Sequence, residues 1–181
     1  VTPDIGLLHP LRDKELQQGS SPNDRFFDSP ATYLAWRMSK TTASFANQQR
    51  FYLAPDDAPH VAVLLYRKHV ITEQRYIMDL IRYMEEQDVI PVPIFINGVE
   101  AHTIVRDLLT SDHEIEGVAM GSITRDDSYK ASKAARVDAI VNTVGFPLVG
   151  GPAGSAEAGR NIEVAEQLLR KMNVPYIVAS P

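Results

Sequence analysis

Cysteine is absent from this 181-residue chain, which excludes disulfide bonds and thiolate metal sites. That absence is typical of a reducing compartment, so we expect a cytoplasmic protein. No apolar run approaches the ~20 residues that span a bilayer, and the N-terminus lacks a signal-peptide pattern, so no transmembrane segment is expected. Positive charge is scarce too, because 18 Lys and Arg face 23 Asp and Glu without a basic cluster. Nucleic acid is therefore not an expected partner.

The residues that are present suffice for a sizeable core, since 44% of them are hydrophobic. Their distribution changes near residue 60. Residues 1–59 are rich in turn formers and predict a connecting segment with one short helix, which Ser29 caps and Pro30 opens. We expect residues 60–181 to form an α/β domain. From the initial valine and the strand-like end "YIVASP" we expect an internal piece of a longer chain.

The pattern of residues 60–181 predicts the fold. Apolar runs at 61–66, 89–96 and 137–144, and the final "PYIVAS", predict four strands, with amphipathic helical stretches between them. The two prolines of the second run favour an edge position or a late entry into the sheet. The polar stretch 111–136 is expected to be an irregular surface excursion. Strand–helix alternation predicts a Rossmann-like, mostly parallel sheet covered by helices, preceded by an irregular and partly helical N-terminal segment.

A glycine-rich loop, "GFPLVGGPAG", follows the third predicted strand. Gly145 and Gly150 have the spacing of a phosphate-binding P-loop, but a glycine and Pro152 follow where that motif needs lysine and a hydroxyl residue. The loop still lies at the carboxyl end of a strand, where open α/β sheets bind ligands. The alternative is that its glycines and Pro152 only shape a tight crossover, and the residues alone leave both interpretations open. The candidate ligand-binding residues here are Gly145, Phe146, Pro147, Leu148, Gly150 and Gly151.

The first predicted strand ends in "YRKH", which adds charge to the same edge of a parallel sheet. Arg67 and Lys68 could pair with a ligand carboxylate, and His69 could act as a base or as a metal ligand. The alternative is a solvated loop of ordinary charges.

The second predicted strand ends in "NGVEAH". Asn97 is a candidate binding residue, and Glu100 and His102 are candidate proton acceptors. The spacing of Asn97 and Glu100 also matches a helix capping box, which would explain both residues without a function.

Three stretches carry a resemblance to a known family: "VAVLLYRKHVITEQRYI", "PVPIFINGVEAHTIVRD" and the run from "VDAIVNTVGFPLVGGPAG" to the end. They resemble the large, porphyrin-binding H subunits of magnesium chelatase, in the form found in bacteriochlorophyll-making bacteria. The likeness covers residues 60–181 in the correct order, and "FFDSPATYLAWR" is similar to the stretch upstream. The related cobaltochelatase large subunits, which act on corrin precursors, are the alternative, and the "GFPLVGGPAG" run argues against them.

The resemblance implies a fragment of a subunit that binds protoporphyrin IX and, with two ATPase-type partner subunits, inserts Mg²⁺ in (bacterio)chlorophyll biosynthesis. Mg²⁺ is then a substrate, the partners hydrolyse ATP, and this segment is expected to hold no metal or cofactor and to be inactive alone. A porphyrin needs an apolar slot and cations for its propionates, which fits the loop and the two basic residues named above. Removal of pyrrole protons needs a base, for which the candidates are Glu100, His102 and Glu157.

A different class of function is a scaffold that docks the partner subunits, or the remaining domains of the same subunit, and contacts no porphyrin. A ligand site predicts a concave rim at the strand ends. Docking predicts a flat apolar patch, for example on the helix expected at 72–88.

Overall fold

The computed structural model describes residues 1–16, 18–43, 51–97, 101–149 and 158–179. Its elements follow one another as strand β1 (Gly6–Leu7), helix α1 (Pro10–Glu15), a 3₁₀-helix (Pro22–Arg25), helix α2 (Pro30–Ala43), strand β2 (His60–Tyr66), helices α3 (Arg67–Ile71) and α4 (Arg75–Glu86), strand β3 (Ile90–Ile96), helix α5 (Ala101–Leu108), strand β4 (Leu109–Thr110), helix α6 (Asp112–Ala119), strands β5 (Ala135–Arg136) and β6 (Ala139–Asn142), helix α7 (Ala158–Met172) and strand β7 (Tyr176–Val178).

The main sheet has the strand order β1-β3-β2-β6-β7. Strands β3, β2, β6 and β7 run parallel, whereas β1 pairs antiparallel with β3 through Gly6 and Leu7. The prediction of an α/β fold with a mostly parallel sheet is confirmed, and the sheet is mixed because of β1. Leu7 and Tyr33, from the segment expected to be a connection, are fully buried in the same core as the sheet. The division of the chain at residue 60 stays a prediction.

Pro91 and Pro93 of β3 have no backbone N–H to donate, but both lie at positions where the pairing with β2 needs none. Ile90 donates its backbone N–H to Pro59 O at 2.9 Å, so the alternate residues Pro91 and Pro93 direct their backbone nitrogens away from β2. On that side β1 pairs only with Ile94 and Phe95. In the described part of the chain, the proline half of β3 therefore has a strand on one side alone, which agrees with the expected edge position.

Helices cover both faces of the sheet. Helices α3 and α4 pack their apolar residues on one face, where Val63, Leu65 and Phe95 point. Helices α2, α5 and α7 pack on the opposite face, against Ala62, Leu64 and neighbouring strand residues. A parallel sheet requires this double cover because its strands are apolar on both sides.

The stretch 111–136 is more ordered than the sequence predicted, because it contains α6 and β5. Ser111 caps α6 by accepting a hydrogen bond from the Glu114 N–H at 3.2 Å, and its hydroxyl donates to Met172 O at 2.6 Å. One buried serine thus starts the helix and ties it to the end of α7. The expectation of an irregular excursion was wrong, because the polar composition of the stretch shows no apolar period that would have predicted this capped helix.

A buried ionic cluster joins α2, α4 and the N-terminal segment. Glu85 is fully buried and accepts hydrogen bonds from Arg37 Nε at 2.9 Å and Arg37 Nη2 at 2.6 Å. The Ala54 N–H donates to the same carboxylate at 2.7 Å, and His9 Nε2 lies 3.3 Å from it. His9 Nδ1 accepts from the Leu11 N–H at 3.1 Å and so caps α1. His9 is therefore neutral, with its proton on Nε2.

We expect acid to destabilise the fold through this cluster. Burial lowers the pKa of His9 from its ordinary value of 6.5. Burial favours a protonated Glu85, but the hydrogen bonds from Arg37 and His9 outweigh it and lower the pKa of Glu85 from 4.5. In both cases the unfolded chain binds more protons than the folded one, so the free energy of unfolding falls as the pH drops below about 6.5, and further below about 4.5.

The matched variant is His9→Asn, because asparagine keeps a capping oxygen for α1 but does not titrate. Urea unfolding between pH 7 and pH 5 should show a shallower pH dependence in this variant than in the wild type. Equal slopes would contradict the assignment of the effect to His9.

Candidate functional site

The carboxyl ends of the parallel strands meet at one edge of the sheet, as expected. Tyr66 ends β2 and leads directly into α3, Asn97 follows β3, and Thr143 follows β6. This edge, called the rim below, consists of residues 66–69, 97 and 143–149. It is the part of an open α/β sheet where ligands bind.

A single buried side chain anchors the loop after β6. Asn142 is 1% exposed, and its Nδ2 donates to Phe146 O at 3.1 Å and to Tyr176 Oη at 2.8 Å. Its Oδ1 accepts from the Val144 N–H at 2.9 Å. Gly145 turns the chain with φ at +87°, a conformation in which a side chain would be strained. The amide of Asn142 therefore connects the start of the loop, at Val144 and Phe146, to Tyr176 of β7.

The loop forms one wall of a groove of about 620 Å³ whose lining is mostly apolar. Ile162 of α7 is 54% exposed and lies in this groove, whereas Leu168 and Met172 of the same helix are buried in the core. The C-terminal half of α7 thus packs its apolar residues on the core, and the preceding turns of the helix line the groove. Besides loop residues 145–149, the lining consists of Ile162, Ala165, Glu166 and Leu169 of α7 and Tyr176 and Val178 of β7.

Aromatic rings continue from the groove along the rim. The Tyr66 ring contacts the Phe146 ring edge-to-face, with centroids 5.4 Å apart, and contacts the His69 ring in the same way at 5.4 Å. His69 in turn stands edge-to-face on Tyr76 of α4 at 5.8 Å, and its Nδ1 lies 2.9 Å from the Tyr76 hydroxyl. Successive rings in this row, called the aromatic wall below, stand at 75–87° to one another, so the row offers both ring faces and ring edges to an apolar ligand.

The two basic candidates have different environments. Arg67 donates from Nε to Pro3 O at 2.7 Å and from Nη2 to Thr2 O, and it lies 3.6 Å from Asp4. Its guanidinium therefore holds the N-terminal segment. Lys68 is exposed at the start of α3.

The remaining candidates are distributed as follows. His102 is 5% exposed, and its backbone N–H donates to Leu148 O at 3.2 Å, so it supports the loop with its imidazole buried. Asn97 is exposed at the end of β3. The candidates that lie outside the described residues are Glu100, Gly150, Gly151 and Glu157.

Sequence reasoning missed four residues that lie in the rim or contact it: Tyr66, Tyr76, Asn142 and Tyr176. Asn142 carried a usable signal, because it is a polar residue within the apolar run "AIVNTV" of a buried strand. The contact between His69 and Tyr76 had no signal in the sequence, since the two residues belong to different helices.

Within the described ranges, no group of three or more His, Asp or Glu side chains is arranged to hold a metal ion. No helix in that part of the chain is both long and apolar enough to cross a bilayer.

Comparison with known proteins assigns the class. The family model described as CobN/Magnesium Chelatase matches residues 1–181, so the chain belongs to the CobN/magnesium chelatase family. The magnesium-chelatase H subunit of Chlorobaculum parvum is 30% identical over 179 residues, which is 99% of this chain and 10% of that protein. The chloroplastic magnesium-chelatase ChlH subunit of Oryza sativa subsp. indica is 26% identical over 98% of the chain. The chain thus spans about a tenth of the length of these curated relatives.

Proposed function

We propose that this chain is the part of a magnesium-chelatase H subunit that contacts the face of the tetrapyrrole. In this proposal the whole subunit binds protoporphyrin IX, and two ATPase-type partner subunits supply the energy that inserts Mg²⁺ during (bacterio)chlorophyll biosynthesis. Mg²⁺ gives up its water ligands reluctantly, which explains why such an insertion is coupled to ATP.

The observation that carries the proposal is the apolar groove beside the aromatic wall. A porphyrin is flat and apolar over its face, and edge-to-face rings such as Tyr66 and Phe146 present the kind of surface on which it packs. The groove also has a volume typical of small-molecule sites, about 620 Å³. The 30% identity to a magnesium-chelatase H subunit over nearly the whole chain supports the same ligand class.

The propionate groups of the ligand would need a cation at the rim. Lys68 suits this role better than Arg67, because Arg67 is engaged by the backbone of residues 2 and 3 while Lys68 is exposed. An exposed ammonium can meet a carboxylate that lies at the edge of a bound ring.

A fluorescence titration with deuteroporphyrin IX tests the proposal. Phe146→Ala should weaken binding about ten-fold, because it removes one aromatic face from the groove. Tyr83→Ala is the matched control, since Tyr83 is a 60% exposed aromatic residue on the outer side of α4. Saturable binding that Phe146→Ala weakens and Tyr83→Ala leaves unchanged would support the proposal. Equal effects of the two variants, or no binding by the folded chain, would contradict it.

A scaffold role is the second candidate, and one observation favours it. Ile177 of β7 is 52% exposed although parallel strands are normally covered on both faces. Its face of the sheet, opposite α7, could receive a neighbouring domain or a partner subunit. Failure of the porphyrin titration would favour this role. A preference of the wild type for a corrin over deuteroporphyrin would instead favour a cobaltochelatase.

A further inference from the structure

The face of the sheet that α3 and α4 cover is only half covered. Residues paired side by side in a parallel sheet point to the same face, so Val63 of β2, Val141 of β6 and Ile177 of β7 form one row on this face. Val63 is 1% exposed, Val141 is half-buried and Ile177 is 52% exposed. On the opposite face Ile140 of β6 is fully buried. On the α4 face the helical cover therefore ends over β2.

Helix α4 has described neighbours on one of its two sides. Met78 lines a pocket with residues of α1, and the guanidinium of Arg82 lies 5.6 Å from the centroid of the Phe51 ring. That side of α4 therefore faces the N-terminal segment, whose strand β1 pairs with β3. Tyr76 and Leu80 lie about half a turn away around the helix axis and are partly buried. They face the side of β6 and β7.

These two α4 residues and three residues of the sheet form a continuous surface, called the open face below. The open face consists of Tyr76, Leu80, Ala139, Val141 and Ile177, none of which carries a charge. Neighbouring strands lie about 4.8 Å apart and packed helices about 10 Å apart. Because α4 covers β2 and β3, a helix packed beside it would lie over β6 and β7. The open face thus has the width and the apolar character of a site for one helix.

The described helices all lie elsewhere. Helices α2, α5 and α7 pack on the opposite face, and Ser111 ties the start of α6 to the end of α7. Helix α1 lies on the other side of α4, and α3 lies at the rim. The curated relatives are about ten times longer than this chain, so a subunit of this kind has much more polypeptide from which a helix can come.

We propose that an amphipathic helix from the part of the subunit outside residues 1–181 packs beside α4 and buries the open face with its apolar side. Strands of a parallel sheet are covered on both faces, and this helix completes the cover of β6 and β7. The inference rests on the proposed function in one respect, namely that this chain is part of a longer H subunit. It requires no porphyrin, because the groove beside Phe146 lies on the opposite face of the sheet.

Ile177→Cys tests the proposal, because the 181 residues contain no cysteine of their own. The rate of reaction of this thiol with N-ethylmaleimide is measured by peptide mass spectrometry in this chain and in the whole H subunit, without porphyrin or partner subunits. Each rate is divided by the rate in urea. The thiol should react at least about ten-fold more slowly in the subunit, because a thiol under a packed helix reacts only when that helix opens. Equal rates would overturn the proposal.

Val178→Cys is the matched control, since Val178 is the next residue of β7, is 63% exposed and points to the opposite face. In the whole subunit its thiol should be slowed less than the thiol at position 177. Equal slowing of the two thiols would show that the end of the sheet is covered as a whole. That result would overturn a helix packed on the open face.

Photo-crosslinking from p-benzoylphenylalanine in place of Ile177 identifies the occupant in the whole subunit. We expect a crosslink to a peptide outside residues 1–181 whose apolar residues recur at the i, i+3, i+4 spacing of a helix. A crosslink to a second copy of the subunit would overturn the proposal. A crosslink formed only with an added ATPase-type partner would also overturn it and would favour the scaffold role.

The outcomes separate this inference from the proposed function. If deuteroporphyrin does not bind but the thiol at position 177 is protected in the subunit, contact with the tetrapyrrole fails and the helix on the open face stands. If deuteroporphyrin binds as expected and the thiol reacts equally in both proteins, only the helix on the open face fails.

Discussion

Arg37→Met is expected to lower the free energy of unfolding by about 3–5 kcal/mol, a large part of the stability of an ordinary domain. Arg37 is 1% exposed and directs two nitrogens at the carboxylate of Glu85, which is fully buried. Methionine fills most of the same space but leaves that carboxylate charged and without its counter-ion. The loss comes mainly from this uncompensated buried charge rather than from missing packing.

Urea unfolding, followed by the fluorescence of the single tryptophan, Trp36, measures this loss. The double variant Arg37→Met/Glu85→Leu removes both charges together. Its loss in free energy of unfolding should therefore be at least about 1 kcal/mol smaller than the summed losses of the two single variants. It should not recover fully, since the buried backbone of Ala54 also bonds to both side chains.

Arg75→Met is the control for removing an arginine from a helix. Arg75 is almost fully exposed and lies 3.3 Å from Asp79 one turn along α4, so its loss should change stability by less than about 0.5 kcal/mol. A similar small effect of Arg37→Met would show that the buried pair contributes far less than we expect.

Asn142→Asp is expected to lower the free energy of unfolding by about 2–3 kcal/mol and to weaken porphyrin binding at the same time. The two side chains have nearly the same shape, but the oxygen that replaces Nδ2 cannot donate to both Phe146 O and Tyr176 Oη. An ionised carboxylate at this position would also be buried next to the carbonyl oxygen of Phe146. The loop that carries Phe146 would therefore lose its anchor.

Urea unfolding and the deuteroporphyrin titration together measure both effects. Asn173→Asp is the control, because it makes the same chemical change at an exposed residue just after α7. If Asn142→Asp were as stable as Asn173→Asp, the amide of Asn142 would not hold the loop. If it were destabilised but bound porphyrin normally, the conformation of the loop would not matter for the ligand.

Local patterns determined most of the secondary structure. The sequence predicted β2, β3 and β6 from their apolar runs and α4 from its apolar stripe. Such patterns are visible in the sequence because the spacing of apolar residues shows which side of an element faces away from solvent. The cap at Ser29 and the first-turn Pro30 of α2 were found for the same reason, since a cap involves residues within one turn. The helix in 111–136 and the two-residue strand β1 were missed because neither has enough apolar residues to show a period.

The candidate site was only partly predictable. The parallel order of the strands followed from their alternation with helices, and it places the loop after β6 on the same edge as His69. The role of Arg67 could not be foreseen, because its acceptors are the backbone oxygens of residues 2 and 3, more than 60 positions away. Asn142 was visible as a polar residue in an apolar strand, but its three partners were not.

The sequence by itself determined the family, the α/β class and the absence of a phosphate-binding motif in the glycine-rich loop. These depend on residue types and short spacings, which the linear order contains. Only the tertiary structure decided that Arg37, Glu85 and His9 form one buried cluster and that the rings of Tyr66 and Phe146 meet at the rim. Those groups lie up to 76 residues apart, and nothing local favours their meeting until the sheet and its covering helices bring them together.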